Sequence, residues 1–441
     1  MKKFILKTHG CKSNQLESYV IKEKLINAGY IETSSFFDAD IFVLNSCSVT
    51  ENADVDALRV LRNAKNKKND LITVLTGCSA QLNAEDLKSC DFVDLVLGND
   101  DKFHIVERLH DRTSVVTDIF SVNEFNYQPI YSYNNTRGYL KIQDGCNNYC
   151  SYCTIINARG NSRSNSVENI VEQINIFARS GIKEVVLTGI HIGQWGLDFS
   201  EKKSLLNLLE AIEKTDIVRY RLGSLNILEL TDELLNFLAQ SDKFCQHFHL
   251  SLQSLNDKVL KSMNRHYTAD SCLVLMEKIA TLFNGKNPFI GSDVIVGFPG
   301  ETNDDFTCTL ENIRKSKLSN IHVFPYSVRS NTKAASMPNQ VDDNIKQERS
   351  VLLHSIAKDK YDAFIAQNIG VNAEVLIEKR PDKHTGLLKG VTRNYLTVLL
   401  NSDDTTLYNS IRQVKISGFN ETYGKLEGVL LGEDENINCS K

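Results

Sequence analysis

Residues 138–155 read GYLKIQDGCNNYCSYCTI, a short strand-like run followed by Gly145 and three cysteines, Cys146, Cys150 and Cys153. Three thiolates within eight residues can wrap one face of a [4Fe–4S] cube, which needs four ligands and usually takes thiolates. Three leave one iron open, and an open metal position is where a substrate coordinates. The amino and carboxylate groups of S-adenosylmethionine suit that position. Zinc is the alternative, but it prefers a fourth Cys or His close by. The next histidine along the chain is His191, and no second CxxC adjoins the motif.

Downstream of this stretch, further strand-like runs recur at 183–189, 219–225, 247–253, 289–301 and 321–327, separated by helical sequence. Six βα units are fewer than the eight of a closed barrel, so the expectation is a partial (βα)6 barrel with its site at the strand ends. From Gly370 the texture changes to five short strands with turns, which predicts a small antiparallel β-barrel over 370–435 and a disordered tail, EDENINCSK.

Upstream, residues 1–119 alternate strand and helix patterns, as in a doubly wound parallel sheet. Cys11, Cys47 and Cys78 each fall just past a predicted strand, in THGC, NSC and TGC turns. Parallel strands put those ends on one edge of the sheet, where such folds build sites, so the three thiols are expected to meet. A single cysteine in such a place is usually a small buried hydrophobe; three in the same setting point to function. Cys90, Cys245, Cys272, Cys308 and Cys439 lack it. Residues 120–136, polar and containing Pro129, read as a linker to a central domain over 137–365.

At 441 residues the chain has room for about three domains of ordinary size. Its eleven cysteines, an odd number without a signal-like start, argue against a disulfide framework and for metal or redox chemistry in a reducing cytoplasm. No run approaches a membrane span. A net charge of −5 excludes a global nucleic-acid signature, so any RNA contact must be local.

GYLKIQDGCNNYCSYCTI, NARGNSRS (157–164), HLSLQS (249–254) and DVIVGFPGET (293–302), together with the N-terminal trio and terminal barrel, resemble the radical S-adenosylmethionine methylthiotransferases over nearly the whole chain. THGCKSNQLES (8–18) looks most like the MtaB-type branch, which acts on N6-threonylcarbamoyladenosine beside the tRNA anticodon. The resemblance implies two [4Fe–4S] clusters, one on Cys146, Cys150 and Cys153 that cleaves S-adenosylmethionine, and a sulfur-bearing one on Cys11, Cys47 and Cys78. It implies tRNA as partner, an electron donor and a TRAM-like terminal barrel. Tyr152 would lie against the adenine of the cofactor, Arg159 would pair with its carboxylate, and the Gly297–Glu301 turn would approach it closely. Each has an ordinary alternative: a packed aromatic, a loop arginine and a strand-to-helix turn. A 5′-deoxyadenosyl radical suits the task because an aromatic C–H resists acid–base chemistry; the cofactor supplies that reactivity and the protein orients it.

Arg59, Arg62 and Lys65, in a predicted helix over 51–67, form a basic run that would track phosphates or simply face solvent. Residues 370–441 carry nine Lys/Arg against ten Asp/Glu, so charge gives the small barrel no claim on RNA. QSLN (253–256) and SVRSN (327–331) depart from the family pattern, which leaves sister substrates open: isopentenylated adenosine in tRNA, or a ribosomal-protein aspartate. A rival of another class is an RNA-binding module with a structural metal.

Overall fold

The computed structural model describes residues 1–131 and 133–432; the stretch read as a tail, 433–441 with Cys439, lies outside the described residues. The N-terminal unit is a five-stranded parallel sheet, β1 (Lys3–Thr8), β2 (Ile31–Glu32), β3 (Ile41–Ser46), β4 (Ile72–Gly77) and β5 (Leu95–Leu97), in the order β2-β1-β3-β4-β5. Strands β3 and β4 are buried along their full length, as continuous apolar strands between two helical layers must be.

The central unit begins with β6 (Arg137–Lys141). Two short antiparallel strands, β7 (Gln143–Asp144) and β8 (Arg163–Ser164), then close the base of the cysteine loop. Next come β9 (Glu184–Thr188), β10 (Arg219–Leu222), β11 (Ser224–Leu225), β12 (His247–Gln253), β13 (Phe289–Val296) and β14 (Asn320–Pro325). β6-β9-β10 and β11-β12-β13-β14 are all parallel, with Gly223 between β10 and β11, so the staves form an open barrel of six. In β12 alternate residues are buried beneath the helices (Phe248, Leu250, Leu252), while His247, His249, Ser251 and Gln253 face the half-open lumen. Leu255, where the family pattern has glycine, points into the core and is fully buried. Among the described residues, no helix is long and apolar enough to cross a membrane.

Two differences from the sequence expectations concern the joints. The stretch read as a linker, 120–136, is fixed to the central unit through Ile130 and Tyr133. Gln173 bonds both the N–H and the C=O of Ile130, and Ile130 and Tyr133 are buried in the main core. The helix Asp343–Asn368 runs through the expected boundary near 365, because Leu353 and Ile356 pack in the central core while Phe364 and Ile365 pack in that of the small barrel.

The small barrel closes in the order β15 (Asn372–Ile377), β16 (Leu388–Thr392), β17 (Thr397–Leu400), β19 (Lys425–Leu430), β18 (Ile411–Asn420). It is not wholly antiparallel: β17 and β19 run parallel. β18 crosses over to pair with β15, and the hairpin after it returns β19 into the remaining gap, alongside β17 in the same sense.

Charged groups dock this barrel on the central sheet. Fully buried Glu184 accepts from Arg219 Nε (2.7 Å) and Arg221 Nε (2.8 Å). Those guanidiniums reach across to the carbonyls of Val391 (2.9 Å), Thr392 (2.6 Å) and Arg393 (2.6 Å). Burial works to raise the Glu184 pKa, but Arg221, Arg219 and Arg137 hold it down at about 2. A depressed carboxyl contributes stability at pH above its unfolded value, near 4.3, and loses it as pH falls toward 2. Unfolding in urea should therefore become easier across that acid window, and Glu184→Gln should flatten the pH slope there. Glu184→Ala, which strands two buried guanidiniums, should cost roughly 3–5 kcal/mol at neutral pH, read from the urea midpoint.

Candidate metal and cofactor centre

β1, β3 and β4 are neighbours, so their carboxyl ends bring three turns together. Cys11 is the N-cap of the helix Lys12–Asn27, Cys47 follows β3, and Cys78 opens the helix Cys78–Leu82. Gly10 (φ +110°) is needed there: a Cβ on it would stand 2.6 Å from Cys47 Cβ. Buried Asn14 donates to Ser46 O (2.7 Å) and His9 O (3.1 Å), tying two of the turns to one side chain. Burial, with the charges of Cys78 and Cys11 nearby, pushes the Cys47 thiol up to about 11.

The second trio lies in the loop between β7 and the helix Ile155–Arg159. Gly145 (φ +71°) passes so close that a Cβ would meet Asn161 O at 1.9 Å, and Cys146 N bonds Gly160 O (3.1 Å). Tyr149 takes a left-handed conformation (φ 49°), and Asn264 holds its carbonyl at 3.0 Å. Burial, then Cys150 and Cys146, push the Cys153 thiol up to about 12. Arg265 Nη1 is 3.4 Å from Cys150 Sγ, and His191 Nδ1 is 3.6 Å from Cys146 Sγ. His191 also pairs with Glu229; against the effect of burial, the bonds to Cys146 and Glu229 hold its pKa up at about 9. His191, distant in sequence, thus stands as a partner of the Cys146 thiol.

All six thiols are free, and the neighbouring thiols disfavour ionisation of Cys47 in one trio and of Cys153 in the other. A cationic metal centre reverses that penalty and deprotonates its thiols. Between the trios lies a buried web of charge. Arg159 donates to Glu17 Oε1 (2.8 Å), Asp144 Oδ1 (3.0 Å) and Asn14 Oδ1 (2.6 Å). Lys102 and Lys141 also reach Glu17 (2.5 and 2.8 Å), and Arg163 lies 3.9 Å from Asp144. Four cations to two carboxylates leave an excess of positive charge, which fits anionic thiolate-bound clusters on either side.

Several expectations need correction. Arg159 is neither a loop arginine nor free to meet a cofactor carboxylate, since Glu17, Asp144 and Asn14 occupy its guanidinium. Glu301 is likewise taken: it accepts from Gly297 N (2.6 Å) and Arg349 Nη1 (2.7 Å), and Gly297 (φ +72°) backs onto Lys346, so this turn builds the fold. Tyr152 is half-buried with its ring edge-on to Phe298 at 6.5 Å, beside Val259 and Met263. Of the basic run, only Lys65 is half-buried and paired, with Asp94; Arg62 over Phe92 and Arg59 beside Asp56 lie on the exposed face of the helix. Arg329, in the divergent SVRSN segment, donates to Asp54 (2.7 Å) and Ser48 (2.8 Å) beside Cys47.

Comparison with known proteins accords with this geometry. The Radical SAM superfamily model matches residues 140–313, and the Uncharacterized protein family UPF0004 model matches residues 3–98. The chain is 37% identical over 385 residues to the threonylcarbamoyladenosine tRNA methylthiotransferase MtaB of Aquifex aeolicus (85% of this chain, 92% of that one). To the protein of that name from Bacillus subtilis it is 33% identical (97% and 96%). The tRNA-2-methylthio-N(6)-dimethylallyladenosine synthase of Alkaliphilus oremlandii is 32% identical (92% and 88%). In fold it is similar to the radical S-adenosylmethionine methyltransferase TsrM of Kitasatospora setae (TM-score 0.55, 13% identity, 76% and 77% covered). The class is therefore that of the radical S-adenosylmethionine proteins. Within it the chain belongs to the methylthiotransferase family, and its cofactors are two [4Fe–4S] clusters and S-adenosylmethionine.

The charge web carries a direct test. Glu17→Ala would leave Lys102, Lys141 and Arg159 short of a buried partner, at a cost on the order of 3–5 kcal/mol. The expected result is a lower thermal midpoint and faster proteolysis within 120–136; an unchanged midpoint would show that the web does not hold the two units together.

Proposed function

We propose that the protein adds a methylthio group to C-2 of N6-threonylcarbamoyladenosine next to the tRNA anticodon. The relatives of that name, matched over most of their length, carry this reading. Residues 1–119 would carry the sulfur-bearing cluster on Cys11, Cys47 and Cys78. Residues 137–365 would hold the cofactor-cleaving cluster on Cys146, Cys150 and Cys153, and 370–435 would be a TRAM-like unit meeting RNA. When bound, the central cluster and S-adenosylmethionine supply the 5′-deoxyadenosyl radical, and the other cluster supplies sulfur.

The chain's own residues do the placing. Arg265 and His191 orient Cys150 and Cys146, and the Tyr152–Phe298 wall offers an apolar face suited to an adenine. The Arg159–Glu17 web keeps the two trios in register. An electron donor and a cytoplasmic setting belong to the same proposal. A second reading, a binding module with structural zinc, rests on one contact, His191 Nδ1 at 3.6 Å from Cys146 Sγ.

Anaerobically reconstituted protein should hold about eight irons per chain, falling to about four when either trio is replaced by alanine. Colourless, zinc-loaded protein would favour the second reading. Cys146→Ala should abolish S-adenosylmethionine cleavage, whereas Cys47→Ala should retain cleavage and lose methylthiolation. Mass spectrometry of tRNA nucleosides from cells lacking the protein should show loss of the methylthio group from N6-threonylcarbamoyladenosine; loss from the isopentenylated nucleoside instead would redirect the substrate assignment.

A further inference from the structure

Three lumen-facing side chains that neither trio uses meet on adjacent strands. His249 on β12, Asp293 on β13 and His322 on β14 each offer one ligand atom, all within 4.8 Å of one another. His249 Nε2 is 3.3 Å and His322 Nδ1 is 3.2 Å from Asp293 Oδ1. The strand register sets this up: Asp293 pairs directly with His322, and His249 lies opposite Gly291, one lumen-facing position below Asp293. With no side chain at 291, nothing stands between the imidazole and the carboxylate.

We propose that His249, Asp293 and His322 form a binding site for one first-row divalent cation inside the barrel, separate from the six cysteines. Two imidazoles and one carboxylate on one face are the donor set that binds such ions with open positions remaining. Donors about 2.1 Å from an ion, at right angles to one another, stand about 3 Å apart, close to the 3.3 and 3.2 Å from Asp293 to the two histidines. The second shell is present as well. Ser224 Oγ on β11 lies 2.8 Å from His249 Nδ1, which fixes the ring with Nε2 turned toward Asp293, as the partner of a ligating histidine does. The three side chains are part-exposed to the lumen (16%, 29% and 58% for His249, Asp293 and His322), so an ion can enter and its open positions face the cavity. The site does not depend on the substrate reading above.

The probe is Mn2+, which prefers oxygen and nitrogen donors to thiolates. Titration into the cluster-loaded full chain, followed by loss of the free aqueous Mn2+ signal in electron paramagnetic resonance, should show one saturable ion per chain. Asp293→Asn and His322→Ala should each weaken that binding at least tenfold, with iron content unchanged. No saturable binding, or binding that survives in both variants, overturns the proposal and leaves the triad as a hydrogen-bonded group only. A variant that also lost iron would be replaced by His249→Gln, which keeps a polar side chain of similar length and is judged by the same tenfold criterion.

Discussion

The pairing of Glu17 with Arg159 is the constraint on which the two thiol trios jointly depend. Glu17 belongs to the helix that starts at Cys11, and Arg159 closes the helix that follows Cys153. One buried ion pair therefore joins the two cysteine-bearing segments end to end. Asn14 extends the link, accepting from Arg159 while donating to the turn before Cys47. Asn99 does the same on the other side: it donates to Ala158 O at 2.6 Å and lies 3.9 Å from Cys78 Sγ. Burying so much charge is unfavourable unless each group is paired and hydrogen-bonded, so the trios cannot drift apart without exposing unpaired charge.

The same economy governs the open barrel. Its edge strands, β6 and β14, are both met by the N-terminal unit. The helix Lys12–Asn27 packs on the core beside β6 through Leu16 and Val20, and Asp54 pairs with Arg329 beyond β14. At the opposite end of the strands the small barrel docks through Arg219 and Arg221. Tyr395 lies under Arg137 and Arg221 and against His247, sealing the bottom of the lumen. A six-stave barrel, which would otherwise leave polar edges and an open floor, is thus closed by its two flanking units. The lumen that remains is lined by histidine, carboxylate and hydroxyl groups, a chemistry distinct from that of the thiols at its mouth.

Much of this was legible in the residues alone. Cys146, Cys150 and Cys153 sit within one loop, so local spacing reveals them; Cys11, Cys47 and Cys78 follow three buried apolar strands, and parallel pairing alone makes strand ends meet. The helix over 51–67 and strand 247–253 follow from period and composition, because their side chains repeat with the geometry of the element. The roles of Arg159, Glu301 and Lys65 were not legible, since a charged side chain in sequence carries no sign of its partner: Glu17 lies 142 residues from Arg159. His191 beside Cys146, the triad on β12, β13 and β14, and the parallel pair β17–β19 share that limit. By itself the sequence determined the elements and which thiols lie in one loop or at strand ends, because period and spacing along the chain set both; the tertiary structure alone decided which charges are spent on holding units together and which are left facing the lumen, because that depends on contacts between residues far apart in sequence.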